Sequence, residues 1–190
     1  MKYDILLCGV GGQGVLSIAA VIASSALTEG FSVRQSEVHG MSQRGGGVHA
    51  HLRISDTTIA SDLIPSGQAD MILSMEPLES LQYLDWLNKD GSIITAKQPF
   101  KNIPNYPDIE KVYTAIKQAS HKAKIVDSAN LAKEAGNTRT ENMVLVGAAL
   151  DAIPVSKQAV EDGIKSRFAK KDPRLVEINI KAIELGEAHK

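Results

Sequence analysis

Tyr3 to Cys8, with four successive apolar residues from Ile5, reads as a short buried strand, and glycines follow it at once. From Val15 to about Leu27 apolar residues recur among alanines and serines, which predicts a helix ended by Gly30 in a left-handed cap position. Phe31 to Val38 predicts a second strand, completing a strand–helix–strand unit of parallel-crossover length. After the polar, glycine-rich segment His39 to Gly47, read as a loop, Val48, Ala50, Leu52 and Ile54 alternate with His49, His51, Arg53 and Ser55. That period of two predicts a strand with one buried face, and Thr57 to Ala60 can pair with it after a turn at Ser55-Asp56.

Further on, Asp70 to Ser74 predicts a strand, Leu78 to Leu87 a helix, and Ser92 to Thr95 a strand after the turn Lys89-Asp90-Gly91. Prolines 99, 104 and 107 mark a loop. Ile109 to Ala119 predicts a helix, and Lys124 to Val126 a last short strand. The pattern then turns wholly helical. Thr138 and Glu141 have capping-box spacing before the apolar run Met143 to Ile153, Ser156 precedes a helix ending near Phe168, and a final helix follows Pro173. This order predicts an α/β fold, doubly wound and Rossmann-like. Its sheet is mainly parallel, and its C-terminal third is helical. We expect a single domain over 1–190, with an α/β part at 1–136 and a helical part at 137–190.

Composition narrows the function. The 190 residues carry a formal charge of −1, with no basic bias toward nucleic acid or anionic membrane. Gly9, Gly11, Gly12, Gln13 and Gly14 interrupt the first apolar stretch where a signal peptide needs continuity, and Val15 to Ala23 is too short to span a bilayer. A soluble, cytoplasmic protein is the expectation. The one cysteine, Cys8, excludes a disulfide within the chain, a multi-cysteine zinc site and a cysteine-ligated iron–sulfur cluster. At the end of a strand it reads as a small hydrophobe.

Two glycine-rich stretches carry the candidate chemistry. Gly9-Val10-Gly11-Gly12-Gln13-Gly14 fits G-x-G-x-x-G between a strand and a helix, so its backbone can approach a pyrophosphate or simply let strand and helix pack closely. Glu37, near the end of the second strand, is the one candidate to hold a ribose. In the second stretch, Ser42-Gln43-Arg44-Gly45-Gly46-Gly47, three successive glycines suit close approach of backbone to a ligand or partner. Arg44 and Arg53 offer planar cationic forks, and Ser42 and Gln43 add neutral donors. A solvated surface loop is the alternative. His39, His49 and His51 lack a completing ligand set, so no metal site is expected.

Gly12-Gln13-Gly14-Val15, Arg44-Gly45-Gly46 and His51-Leu52-Arg53-Ile54-Ser55 resemble the gamma domain of pyruvate and other 2-oxoacid:ferredoxin oxidoreductases. The longer stretch Ser36 to Gly47 is similar to the indolepyruvate branch, in which this domain is the separate small (beta) subunit. The likeness continues through Ser74-Met75-Glu76-Pro77, Asn137 to Gly147 and Glu177 to Gly186, and so covers nearly the whole chain. One departure is Thr95-Ala96-Lys97, where relatives often have an asparagine-containing turn.

The resemblance implies a subunit of an enzyme that oxidatively decarboxylates indolepyruvate and related aryl pyruvates to acyl-coenzyme A and passes electrons to ferredoxin. Thiamine diphosphate and 4Fe-4S clusters would lie on a large alpha subunit. This chain would dock on that subunit, help cover the coenzyme A and active-site region, and be inactive alone. Gly11, Gly12, Gln13, Gly14, Ser42, Gln43, Arg44, Gly45, Gly46 and Arg53 are its candidate contacts, with no catalytic residue and no metal ligand. Two other readings are a free-standing Rossmann-like nucleotide-binding protein and a purely structural assembly subunit.

Overall fold

In a computed structural model of the chain, residues 1–39, 45–101, 103–168 and 172–189 are described. Six strands form one sheet: β1 (Lys2–Val10), β2 (Ser32–His39), β3 (Gly47–Ser55), β4 (Ala69–Ser74), β5 (Leu87–Ala96) and β6 (Lys124–Val126). Their order across the sheet is β2-β3-β1-β4-β5-β6. β4, β5 and β6 run parallel to β1, and β3 runs antiparallel to both of its neighbours, β1 and β2. The mainly parallel α/β sheet is therefore present, with one reversed strand inside it.

Helix α1 (Val15–Thr28) carries the crossover from β1 to β2. It shares one face of the sheet with α4 (Ser128–Ala135), α5 (Glu141–Ala149), α6 (Lys157–Phe168) and α7 (Pro173–Ala188), around a core that includes Ile5, Leu7, Ile18, Ile22, Val144 and Ile183. Helices α2 (Pro77–Gln82) and α3 (Ile109–Ala119) cover the other face over Leu6, Cys8, Ile72 and Ile93. Helix α5 is buried throughout from Met143 to Ala149, as its uniformly apolar sequence requires. It crosses α7 at two glycines. A methyl group on Gly147 would strike the Ile183 carbonyl oxygen, and one on Gly186 the Val144 carbonyl oxygen, so the two backbones lie in direct contact.

Several expectations are corrected. β3 is buried on both faces from Ala50 onward, not on one, because segment 59–64 closes over its second face; the Ile64 amide donates to His51 Nδ1 at 3.2 Å. Thr57 to Ala60 forms no strand. The Ser55 hydroxyl accepts the Thr57 amide at 3.1 Å and holds the chain in a turn. The helix expected from Leu78 to Leu87 is α2 followed by a 3₁₀ turn, Leu84–Trp86, and Leu87 already belongs to β5. The turn Lys89-Asp90-Gly91 lies inside β5, where the register with β4 slips between Ala69 and Met71. Thr138 and Glu141 make no capping box: Thr138–Thr140 is a 3₁₀ turn capped by the Asn137 side chain, and α5 begins at Glu141.

Candidate functional site

β1 and β4 lie side by side and parallel, yet the chain leaves β1 into α1 on one face and leaves β4 into α2 on the other. Such a divergence opens a crevice at the carboxyl ends of the two strands, the place where open α/β sheets bind ligands. Cys8 and Ser74 are the last paired residues, and the Met75 amide donates to the Cys8 carbonyl at 2.9 Å.

The first glycine stretch forms the rim of this crevice. Gly9 has no room for a side chain, since a Cβ there would lie 2.9 Å from Met75 Cβ. Gln13 closes the rim from inside. Its Oε1 accepts the Val10 amide at 2.7 Å and its Nε2 donates to the Met75 carbonyl at 3.2 Å, so its amide is occupied within the chain. Gly14 is the N-cap of α1 with φ +88, and a Cβ there would lie 2.8 Å from Asn142 Nδ2. Gly12, with φ +101, has nothing within 4 Å of a would-be Cβ and presents bare backbone outward.

The second stretch joins the first by main-chain hydrogen bonds. The Gly11 amide donates to the Gly46 carbonyl at 2.8 Å, and the Gly45 amide to the Gly11 carbonyl at 3.4 Å. Five expected residues, Gly11, Gly12, Gly14, Gly45 and Gly46, thus share one edge of the molecule with Gln13 bracing it. Ser42, Gln43 and Arg44 lie outside the described residues.

Arg53 does not join them, which corrects its expected role as a cationic fork for phosphate. It sits six residues along β3 from Gly47, about 20 Å away on an extended strand. Its Nε and Nη2 donate to the two carboxylate oxygens of Asp4 at 2.9 and 3.1 Å, and its Nη1 to the Ser61 and Leu63 carbonyls at 3.1 and 2.8 Å. Arg53 is 7% exposed and Asp4 fully buried, so the pair is a structural clamp. Glu37 is also displaced from the crevice. β3 separates β2 from β1, leaving the end of β2 about 10 Å, two strand spacings, from the glycine loop.

Sequence reasoning missed two carboxylates beneath the rim. Glu76 is buried; its Oε2 caps α2 through the Glu79 amide at 2.8 Å, and its Oε1 accepts the Phe100 amide at 3.2 Å and the Tyr106 hydroxyl at 2.5 Å. Glu79 is 6% exposed. Its Oε1 accepts from Gln82 at 3.1 Å, but its Oε2 has no hydrogen-bond partner among the described residues. A Cβ on Gly47 would lie 2.8 Å from that oxygen. Burial first, and then the charge of Glu76, push the Glu79 carboxyl up to about 7. The one available signal was Glu76-Pro77, an acceptor before a first-turn proline, which marks a capped helix start.

His49 stands beside Glu79's helix, its ring 4.8 Å from Tyr83 and 5.5 Å from His51. Burial holds both imidazoles below their ordinary value, and His51 is lowered further by His49 and Arg53. His51 Nδ1 is an acceptor, so its proton is on Nε2. Cys8 is fully buried, and burial pushes its thiol up, leaving a neutral small hydrophobe. Among the described residues no group of three or more His, Cys, Asp or Glu could hold a metal ion, and no helix is long and apolar enough to cross a membrane.

Comparison with known proteins gives concordant matches. The family model described as pyruvate ferredoxin/flavodoxin oxidoreductase matches residues 4–188. The chain is 38% identical to indolepyruvate oxidoreductase subunit IorB of Pyrococcus horikoshii, over 97% of this chain and 94% of that protein. The gamma subunit of a keto/oxoacid ferredoxin oxidoreductase from Geobacter sulfurreducens superposes with a TM-score of 0.71 and 26% identity, over 97% of this chain and 95% of that one. The 2-oxoglutarate:ferredoxin oxidoreductase from Magnetococcus marinus, solved with 2-oxoglutarate, coenzyme A and succinyl-CoA, gives a TM-score of 0.79 at 21% identity. That match covers 98% of this chain and 30% of the longer one, and establishes the shared fold.

Proposed function

Because this chain belongs to the pyruvate ferredoxin/flavodoxin oxidoreductase family, we propose that it is the small subunit of a cytoplasmic indolepyruvate:ferredoxin oxidoreductase. It docks on a large alpha subunit and covers the region where coenzyme A meets the reacting 2-oxoacid, with ferredoxin as electron acceptor of the assembled enzyme. One observation carries the choice of substrate class: the likeness to an indolepyruvate oxidoreductase subunit runs over 97% of this chain.

The geometry supports a covering role. The joined glycine loops present backbone at the crevice between β1 and β4, where a ligand or another chain can approach the main chain closely. An iron–sulfur cluster does not fit this chain, which has one cysteine, and that one fully buried. On this reading the clusters and thiamine diphosphate reside on the partner, where they supply electron transfer and carbanion stabilisation. The residues of this chain position and shield. Arg44, beside Gly45, is the proposed cationic contact to coenzyme A phosphate, and Ser42 and Gln43 the proposed neutral ones.

The test is anaerobic affinity purification of the chain with its partners, followed by aryl-pyruvate- and coenzyme A-dependent dye reduction. The expected result is a large cluster-bearing chain in the eluate together with that activity. A chain that elutes alone, inert toward 2-oxoacids and carrying a bound nucleotide, overturns the proposal. A purely structural assembly role is the second reading, favoured by the internal engagement of Gln13 and Arg53. An Arg44→Ala enzyme separates the two: a KM for coenzyme A raised about tenfold, the size of a lost charged hydrogen bond, supports the covering role. An unchanged KM supports assembly alone.

A further inference from the structure

A cavity of about 290 Å³ lies behind the glycine rim, between the first two turns of α1 and the helices α5, α6 and α7. Asn142 separates the two places: it lines the cavity, while its Nδ2 abuts the position a Gly14 side chain would need. Among the described residues the lining holds two arginines, Arg139 and Arg167, and no acidic residue. Both arginines are exposed, and neither has an ion-pair partner among the described residues. Arg139 falls in the stretch Asn137 to Gly147, which the proposed subunit role does not use.

Several polar groups around the cavity lack a full set of hydrogen bonds among the described residues. The Ser17 hydroxyl makes no hydrogen bond among the described residues. Asn142 Oδ1 accepts the Met143 amide at 3.0 Å, and its Nδ2 packs against Gly14. Asn179 is 6% exposed and lines the same cavity. Its Nδ2 donates to the Leu175 carbonyl at 2.6 Å, which leaves its Oδ1 free to accept. Phe168 supplies an aromatic wall.

The geometry points to a binding pocket for a small organic anion, a phosphate or carboxylate carried on an aromatic or apolar body. Two guanidinium groups match either anion bidentately, and the Ser17 hydroxyl can add a neutral contact. Phe168 takes the apolar body. The open acceptor on Asn179 favours a ligand that also bears a hydroxyl or N–H group. A concave pocket with apolar walls and a few polar groups is the usual setting for such a ligand.

Titration calorimetry on the full chain tests this with three probes: inorganic phosphate, phenyl phosphate and phenylacetate. Saturable binding is expected for at least one aromatic anion, about tenfold tighter than for inorganic phosphate, and whichever binds better identifies the anion. Arg139→Ala and Arg167→Ala are each expected to weaken that binding about tenfold, as loss of a charged hydrogen bond does. Phe168→Ala should erase the advantage over inorganic phosphate. Both arginines are exposed, so the variants should keep the parent melting temperature, which is checked in parallel. Absence of saturable heat with all three probes overturns the proposal, as does unchanged affinity in the double variant R139A/R167A. If no probe binds and the double variant instead loses a partner chain, the surface is a protein contact and the proposal fails.

Discussion

At one end of the β1–β3 ladder Asp4 faces Arg53, both shut away from water, joined by two side-chain hydrogen bonds and covered by the carbonyls of segment 61–63. At the other end Val10 faces Gly47, and beyond it Gly11 is held to Gly45 and Gly46 by main-chain bonds. The same strand pair is thus tied by side chains at its Arg53 end and by backbone at its glycine end. The difference shows that a cation in a strand reveals little about ligands until its partner is known. A glycine, by contrast, leaves backbone open at its own position whatever binds there.

The comparison breaks most visibly at the closed end. Asp4→Ala leaves Arg53 buried without its carboxylate and is expected to cost about 3–5 kcal/mol in urea unfolding, while activity per assembled complex stays at the parent level. Loss of activity at full assembly would show that the closed end reaches the site. Beneath the open end, Glu79 gives a smaller and pH-dependent effect. Its folded carboxyl titrates near 7, above its ordinary 4.5, so the fold favours the protonated form. The stability this contributes is complete below pH 4.5 and lost as pH rises through 7, on the order of 3 kcal/mol. Glu79→Gln should flatten unfolding free energy against pH over that window, and a persisting slope would assign the titration elsewhere. The smallest effect on stability belongs to Gly12→Ala. The backbone there is left-handed but surrounded by open space, so about 1 kcal/mol is expected, with a larger loss in partner retention on an affinity column. Equal, small losses in both measurements would remove Gly12 from the docking edge.

Much of the fold was legible because its signals are local. Gly30 ends α1 with φ +85, α3 spans Ile109–Ala119 and β6 spans Lys124–Val126, all as the pattern predicts. The misreadings share a non-local cause. The alternation in β3 predicts one buried face, but the second face is covered by residues 59–64, which no periodicity within β3 can announce. The direction of β3 is likewise set by its neighbours and not by its own residues. For the candidate site, the glycines were legible as backbone open to approach. That Gly11 meets Gly45 and Gly46 was not, because the contact joins segments that only the folded sheet brings together. Arg53 was misread for the same reason: Asp4 lies 49 positions away in the chain.

The reversed β3 also bears on the order in which the molecule assembles. β2 bonds to β3 and not to β1, so the crossover through α1 cannot by itself place β2 in the sheet. β2 and β3 are close in sequence and form an antiparallel hairpin, which closes in microseconds when its strands are adjacent. Pairing β3 with β1 must enclose α1 and β2 and carries a larger loop-closure cost. The hairpin is therefore expected to add to β1 as a preformed unit, and the joining of its glycine tip to the β1–α1 loop follows from that insertion. The covering edge would then be among the last parts of the sheet to form.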